Sequence, residues 1–312
     1  MDHPEALGAL PNETLIFDWQ YFSGCRESAQ RFVDQGFEVV ACPTLQTYNS
    51  TWLNLQSSED NVRKVQSDVV SMNLFGTCLT TWECALFGSY ETLKPAIIAC
   101  GQPLQEGGLM RGYLRDSETY EEWARLMGVE LVEVGGLFAA GRIRSSLKVR
   151  LLLNANPFLA WLYHGEELSG EVGDMALDIT ERALSVAPNE ITKAVAFFAR
   201  SAVEFVRLAN VASKEYASGR PESAISKLAL TRTLFEDLGK VAKRNAQRDG
   251  ASLADVERCR VAKEHVEKVI TRIRNYGNRE LGYLPSFEHL THPKFVPHDQ
   301  GAWWLVNRWA NE

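Results

Sequence analysis

The chain has 312 residues and a formal net charge of −7, and at about 150 residues per domain that length admits two domains, or one α/β barrel with an appendage. Hydrophobic residues make up 45% and charged residues 23%, which excludes a disordered, collagen-like or coiled-coil chain. The acidic balance is the wrong sign for tracking a phosphate backbone, and no apolar run reaches the roughly 20 residues that span a bilayer, so neither nucleic acid nor membrane is expected as a partner.

Met1-Asp2-His3-Pro4-Glu5 lacks the basic start and apolar stretch of a secretory signal, so the cytoplasm is the expected location if Met1 is the true start. The six cysteines, Cys25, Cys42, Cys78, Cys84, Cys100 and Cys259, form no C-x-x-C pair and have no His at zinc-finger spacing. Buried thiols are expected, with no metal, no cofactor and no cysteine nucleophile.

In chain order, Thr14 to Phe17 reads as a buried strand, and Arg26 to Gln35 as a helix stopped by Gly36. Phe37 to Ala41 is a second strand, closed by Cys42-Pro43 and followed by a long loop and a helix from about Glu59 to Asn73. Gly76 to Thr81 is a third, followed by a helix from about Tyr90 to Cys100. Strand and helix in alternation are parallel βα units, and right-handed crossovers set the strands side by side with the helices on a common face if the sheet curls into a barrel. Three strands do not close a barrel, which takes about eight.

From Gln102 to about Ser146 the pattern is irregular, broken at Gly107-Gly108 and Gly135-Gly136, and reads as a connector with one short apolar stretch, Val129 to Val134. Helices follow. The first runs from Asp174 to Val186, and the second from about Glu190 to Ser218 with an apolar seam at Ile191, Val195, Phe198, Ala202, Phe205, Ala209 and Ala212. Pro221 opens a third, and Ser252 as N-cap opens a fourth that stops near Gly277. The last three would pack as an antiparallel bundle. The expected division is a partial barrel of three βα units over 1–101, a connector over 102–156 and a helical bundle over 157–312.

Ligands of parallel α/β folds bind at the carboxyl ends of the strands. The first strand ends in Asp18-Trp19-Gln20-Tyr21, the second leads to Tyr48-Asn49 and Trp52, and the third ends in Trp82-Glu83. Indole and phenol rings offer apolar faces to a pyranose while carboxylates and amides bind its hydroxyls, so the set suits a sugar pocket. The same rings suit core aromatics that cover a barrel mouth or pack on the bundle. Asp18, Trp19, Tyr21, Tyr48, Asn49, Trp52, Trp82 and Glu83 are the candidate substrate-binding residues.

The order of these elements resembles the C-terminal part of the catalytic barrel in family 20 glycoside hydrolases, the β-N-acetylhexosaminidases and their bacterial relatives. The strand Ile16-Phe17-Asp18-Trp19 looks like their sixth, Gly36 to Pro43 with Tyr48-Asn49 like their seventh, and Gly76 to Glu83 like their eighth. The resemblance implies that Trp19 and Trp82 wall the pocket of an N-acetylhexosamine-type sugar, that Tyr48 binds its acetamido oxygen, and that Glu83 holds hydroxyls. Trp82 and Glu83 are adjacent here, where the family commonly has a residue between them. Asn278-Arg279 before Gly282-Tyr283 is loosely similar to the end of a long helix that follows the barrel in some relatives.

Family members hydrolyse with the sugar's own acetamido group as nucleophile, oriented by an Asp whose adjacent Glu protonates the leaving oxygen. No Asp is directly followed by Glu in this chain, so no catalytic residue is assigned and this polypeptide is expected to be inactive. Either it is a truncated form of a longer enzyme lacking an N-terminal segment, which is the favoured expectation, or it is a non-catalytic carbohydrate-binding or scaffold protein that completes its sheet by homo-oligomerisation or with a partner. His289, His292 and His298 near the C-terminus read as loop, and His265 as helix surface.

Overall fold

The computed structural model describes residues 4–46, 52–81, 93–94, 96–97, 100, 118–134, 170–249 and 254–276. Among these residues the layout is α/β followed by α. A 3-10 turn, Pro4–Ala9, precedes strand β1 (Leu15–Trp19); helix α1 (Arg26–Val33) leads to β2 (Glu38–Cys42), and helix α2 (Leu55–Met72) to β3 (Gly76–Thr77). The sheet is parallel in the order β1-β2-β3, with Ile16 opposite Val39, Trp19 opposite Cys42 and Ala41 opposite Thr77.

Alternation along a strand sends neighbouring side chains to opposite faces. Ile16, Val39 and Ala41 point to one face, where they pack with Ala29 and Phe32 of α1 and with Val65, Val69 and Met72 of α2. Both crossover helices therefore cover the same side of the sheet. On the other side Leu15, Phe17 and Trp19 stand 36%, 51% and 54% exposed, so the β1 end of that face is apolar and open.

The ends of α2 and the start of α1 have identifiable causes. Asn54 caps α2, its side-chain oxygen accepting from Ser57 N at 3.0 Å, so the helix begins at Leu55, four residues before Glu59. Asn73, in the left-handed region at φ 52°, ends it. Asp68 of α2 accepts from the backbone N–H groups of Cys25 and Arg26 at 2.9 and 3.1 Å, placing its charge at the start of α1. A side chain on Gly24 would collide with that carboxylate.

β3 is shorter than the expected Gly76 to Thr81, and Pro43 is the reason. Cys78 N donates to Ala41 O at 2.9 Å, but the returning bond to the Cys78 carbonyl would have to come from residue 43, which as proline has no N–H. Pairing resumes as an isolated bridge between Thr44 and Thr80, with Thr80 N on Pro43 O and Leu45 N on Thr80 O.

Of the stretch expected to be an irregular connector, residues 118–134 are helical. Helix α3 runs through Glu118–Arg125, widens into a π-helical segment at Leu126–Glu130 and continues to residue 134. Tyr120, Trp123, Met127, Leu131 and Val134 recur at steps of three and four and are all buried. Gly128 sits where a Cβ would lie 2.9 Å from Leu53 O, so the π turn presses its backbone against the segment that enters α2.

Four long helices follow: α4 (Glu171–Val186), α5 (Glu190–Ala217), α6 (Pro221–Asp249) and α7 (Ala254–Tyr276). Asn189 and Thr192 form a capping box that starts α5, and Gly219, at φ 74°, ends it with Arg220 N bonded to Glu215 O ahead of Pro221. Consecutive helices pack on each other. Asp174 pairs with Arg207 and Glu181 with Arg200 between α4 and α5, Phe205 meets Phe235 edge-on at 5.0 Å between α5 and α6, and Glu236 pairs with Lys263 between α6 and α7. Among the described residues no helix is long and apolar enough to cross a membrane.

One core joins the two halves. Leu45, Trp52, Leu53, Leu55 and Val62 belong to the same buried cluster as Trp123 and Met127 of α3, Ile179 of α4 and the inner faces of α5 to α7. Residues 93, 94, 96, 97 and 100 are helical, in keeping with the expected third crossover helix, and Leu93, Ala96 and Cys100 enter that core too. His265 is half-buried rather than on the surface, and burial lowers its pKa.

Candidate functional site

The carboxyl ends of the strands are held together by α2. Asn61, 2% exposed, uses its whole amide: its oxygen accepts from Thr44 N at 2.9 Å, and its nitrogen donates to Gln20 O at 2.7 Å and Ser23 O at 3.0 Å. One turn earlier Ser58 Oγ accepts from Gln46 N at 2.8 Å, and Gln46 Nε2 donates to Tyr21 O at 2.6 Å. The loop after β1 and the loop after β2 are thereby fixed to each other through a single helix. The sequence reading missed Asn61 and Ser58, which nothing in the sequence separates from the other uncharged polar residues of the helix, Gln56, Ser57, Gln66, Ser67 and Ser71.

Asp18 and Trp19 point in opposite directions, as adjacent residues of a strand must. Asp18, 6% exposed, faces the helices: it accepts from Ser28 Oγ at 2.5 Å and from Gln20 Nε2 at 3.0 Å. Its carboxylate braces α1 against the end of β1 and is turned away from the face that carries Trp19, a correction to its expected role on sugar hydroxyls. Trp19 is half exposed on the open face, and its indole N–H donates to the thiol of Cys42 opposite. Tyr21 is half-buried, with its carbonyl engaged by Gln46.

Trp52 is corrected as well. It is fully buried, 4.6 Å from Trp123 and 6.4 Å from Tyr120 between ring centroids, both edge-on. Its ring belongs to the core shared by α2 and α3 and has no surface to offer a ligand. Tyr48, Asn49, Trp82 and Glu83 lie outside the described residues. Of the eight candidates, the structure thus brings Asp18, Trp19 and Tyr21 to one strand end and assigns Trp52 to packing.

The thiols follow burial. Desolvation, then the nearby Asp68 and Asp18 charges, pushes Cys25 up to about 11. Desolvation, then Cys78 and Asp18, pushes Cys42 up to about 12, with the Trp19 bond acting the other way. Cys100 rises to about 12 by desolvation, with Glu59 adding. These sulfurs are protonated at neutral pH, whereas Cys78 is exposed. Among the described residues no group of three His, Cys, Asp or Glu side chains is placed to hold a metal ion.

A separate cavity of about 490 Å³ lies where the start of α5 meets the end of α6, lined by residues that include Phe197, Val241, Lys193 and Arg244. It contains none of the strand-end residues. What the strand ends offer chemically is a half-exposed indole beside a thiol, set on a braced backbone. Neither a family model nor a curated protein matches this chain.

Proposed function

We propose that the chain is a glycoside-hydrolase-like protein related to the β-N-acetylhexosaminidases, and that its strand ends bind an N-acetylhexosamine-type sugar without hydrolysing it. In this reading β1 to β3 with their crossover helices are three units of a TIM-barrel wall, and the C-terminal helices are an antiparallel bundle. The observation that carries it is the two-sidedness of the sheet. Both crossover helices lie on one face, while Leu15, Phe17 and Trp19 stand exposed on the other, which is how barrel strands divide helix layer from interior.

Trp19 then sits at the carboxyl rim of the interior, where its indole is a stacking platform for the apolar side of a pyranose. The bundle is supported by the pairs that link the start of one helix to the end of the next, Asp174 with Arg207 and the α5 start with the α6 end.

A second reading is favoured by β1 being the edge strand among the described residues, together with its exposed apolar residues: the same face is completed by a partner or a second copy. The test is titration of the intact chain with N-acetylglucosamine, followed by calorimetry and indole NMR, with glucose as the control. Saturable binding that weakens by about tenfold or more in Trp19→Ala, roughly 1.4 kcal/mol, is the expected result. Absence of a saturable response, or unchanged binding by Trp19→Ala, overturns the sugar reading. Turnover of an aryl N-acetylglucosaminide overturns the non-catalytic part.

A further inference from the structure

Two cysteines that are 36 residues apart in sequence meet across the β2–β3 junction. Ala41 is opposite Thr77 and Thr44 is opposite Thr80, which sets Cys42 directly opposite Cys78. Residues opposite each other on a parallel pair share a face, and neighbouring strands lie about 4.7–4.9 Å apart, inside the roughly 4.4–6.8 Å between Cα atoms that a disulfide spans. Cys78 N donates to Ala41 O, so the backbone on both sides of the pair is held in this register. We propose that Cys42 and Cys78 are a redox pair that closes to a disulfide in exchange with a small-molecule disulfide of the glutathione class.

The two thiols have unequal access, as such an exchange requires. Cys78 is exposed and Cys42 is fully buried. The Cys78 thiolate attacks one sulfur of the oxidant, breaking its S–S bond and releasing one reduced thiol. The Cys42 sulfur, losing its proton to solvent, then attacks Cys78 in the mixed disulfide and releases the second. In balance, two protein thiols and one oxidant disulfide become one protein disulfide and two small thiols, two electrons passing to the oxidant. Burial raises the Cys42 pKa, which slows the second step relative to attack by an exposed thiol.

Pro43 matters to reversibility. Because it supplies no N–H to the Cys78 carbonyl, the ladder is broken beside the pair, and β3 can adjust toward the Cα separation of about 5.5–6 Å that disulfides prefer. The Cys78 sulfur of the bond is on the exposed side, where a small thiol can attack it. Closure also takes from Trp19 the thiol to which its N–H donates, so the indole at the rim reports the redox state. The proposal is independent of the sugar reading.

The experiment equilibrates the intact wild-type chain with reduced and oxidised glutathione over a range of ratios, quenches by alkylation and maps peptides by mass spectrometry. The expected result is a Cys42–Cys78 cross-linked peptide that forms and disappears reversibly with the ratio, preceded in time by glutathione on Cys78. In Cys42→Ser the glutathione adduct on Cys78 persists and no cross-link forms. Failure of the Cys42–Cys78 peptide to appear at the most oxidising ratio, or its formation only in urea-unfolded protein, overturns the proposal, and the wild-type measurement decides this even where the variant does not fold.

Discussion

Replacing Asn61 isolates the joint on which the strand ends depend. In Asn61→Ala the buried N–H of Thr44 loses its acceptor, and the carbonyls of Gln20 and Ser23 lose a shared donor. A buried donor left unsatisfied costs about 1–3 kcal/mol, while loop carbonyls regain part of their loss from water, so a destabilisation of about 2–4 kcal/mol is expected. Asn61→Asp is the sharper probe, because it keeps shape and the acceptor for Thr44 but turns a carboxylate oxygen toward two carbonyls. That repulsion raises the folded-state pKa of the new carboxyl above its unfolded value of about 3.9. The penalty relative to wild type is therefore absent below that pH, grows as pH rises through the folded pKa, and is full at pH 7. Urea unfolding of wild type, Asn61→Ala and Asn61→Asp at matched pH values measures it. If Asn61→Asp at pH 7 lies within about 0.5 kcal/mol of wild type, the scale of an ordinary surface change, the joint is not what holds these loops.

Three further outcomes are expected. Gly128→Ala gains about 1 kcal/mol in helix propensity but drives a methyl against Leu53 O and Leu55, at a cost of about 1–3 kcal/mol, so chemical denaturation should show net loss; a more stable variant would contradict the close approach. Phe205→Ala removes a ring that is 1% exposed and edge-on to Phe235, and should cost about 3–5 kcal/mol by the same measurement. Glu215 is held at about 2 by hydrogen bonds first from Arg220 and then from Ser223, so its stabilising contribution is present above the ordinary carboxylate pKa of about 4.3 and lost as pH falls toward 2; carboxyl NMR should find it titrating low in wild type and near the ordinary value in Arg220→Ala.

The parallel βα order was legible because Val39 to Ala41 is a short apolar run between turn residues, and because each crossover is long enough for a helix. Which side chain faces where was not. A strand end written Asp18-Trp19 reads as two ligand-binding residues, but the pleat sends one to the helix layer and the other to the open face, and only Ser28 on α1 decides which. Trp52 follows a long loop, and nothing in its local sequence announces Trp123, 71 positions on, as its neighbour. Helix α3 escaped reading because Gly128 and the glycines nearby look like breaks. There the close approach of Leu53 selects glycine over helix propensity, so tertiary packing overrides the local signal. The joint at Asn61 escaped for a related reason: an amide in a helix shows its worth only through the loops that converge on it.

Helix α2 faces three ways at once. Val65, Val69 and Met72 lie under the sheet, Leu55 and Val62 enter the core of the long helices, and Ser58 and Asn61 hold the strand ends. A cut through the sequence between the α/β segment and the helices would strip one of those faces bare, so calorimetry of the intact chain is expected to find the two halves unfolding in one shared transition.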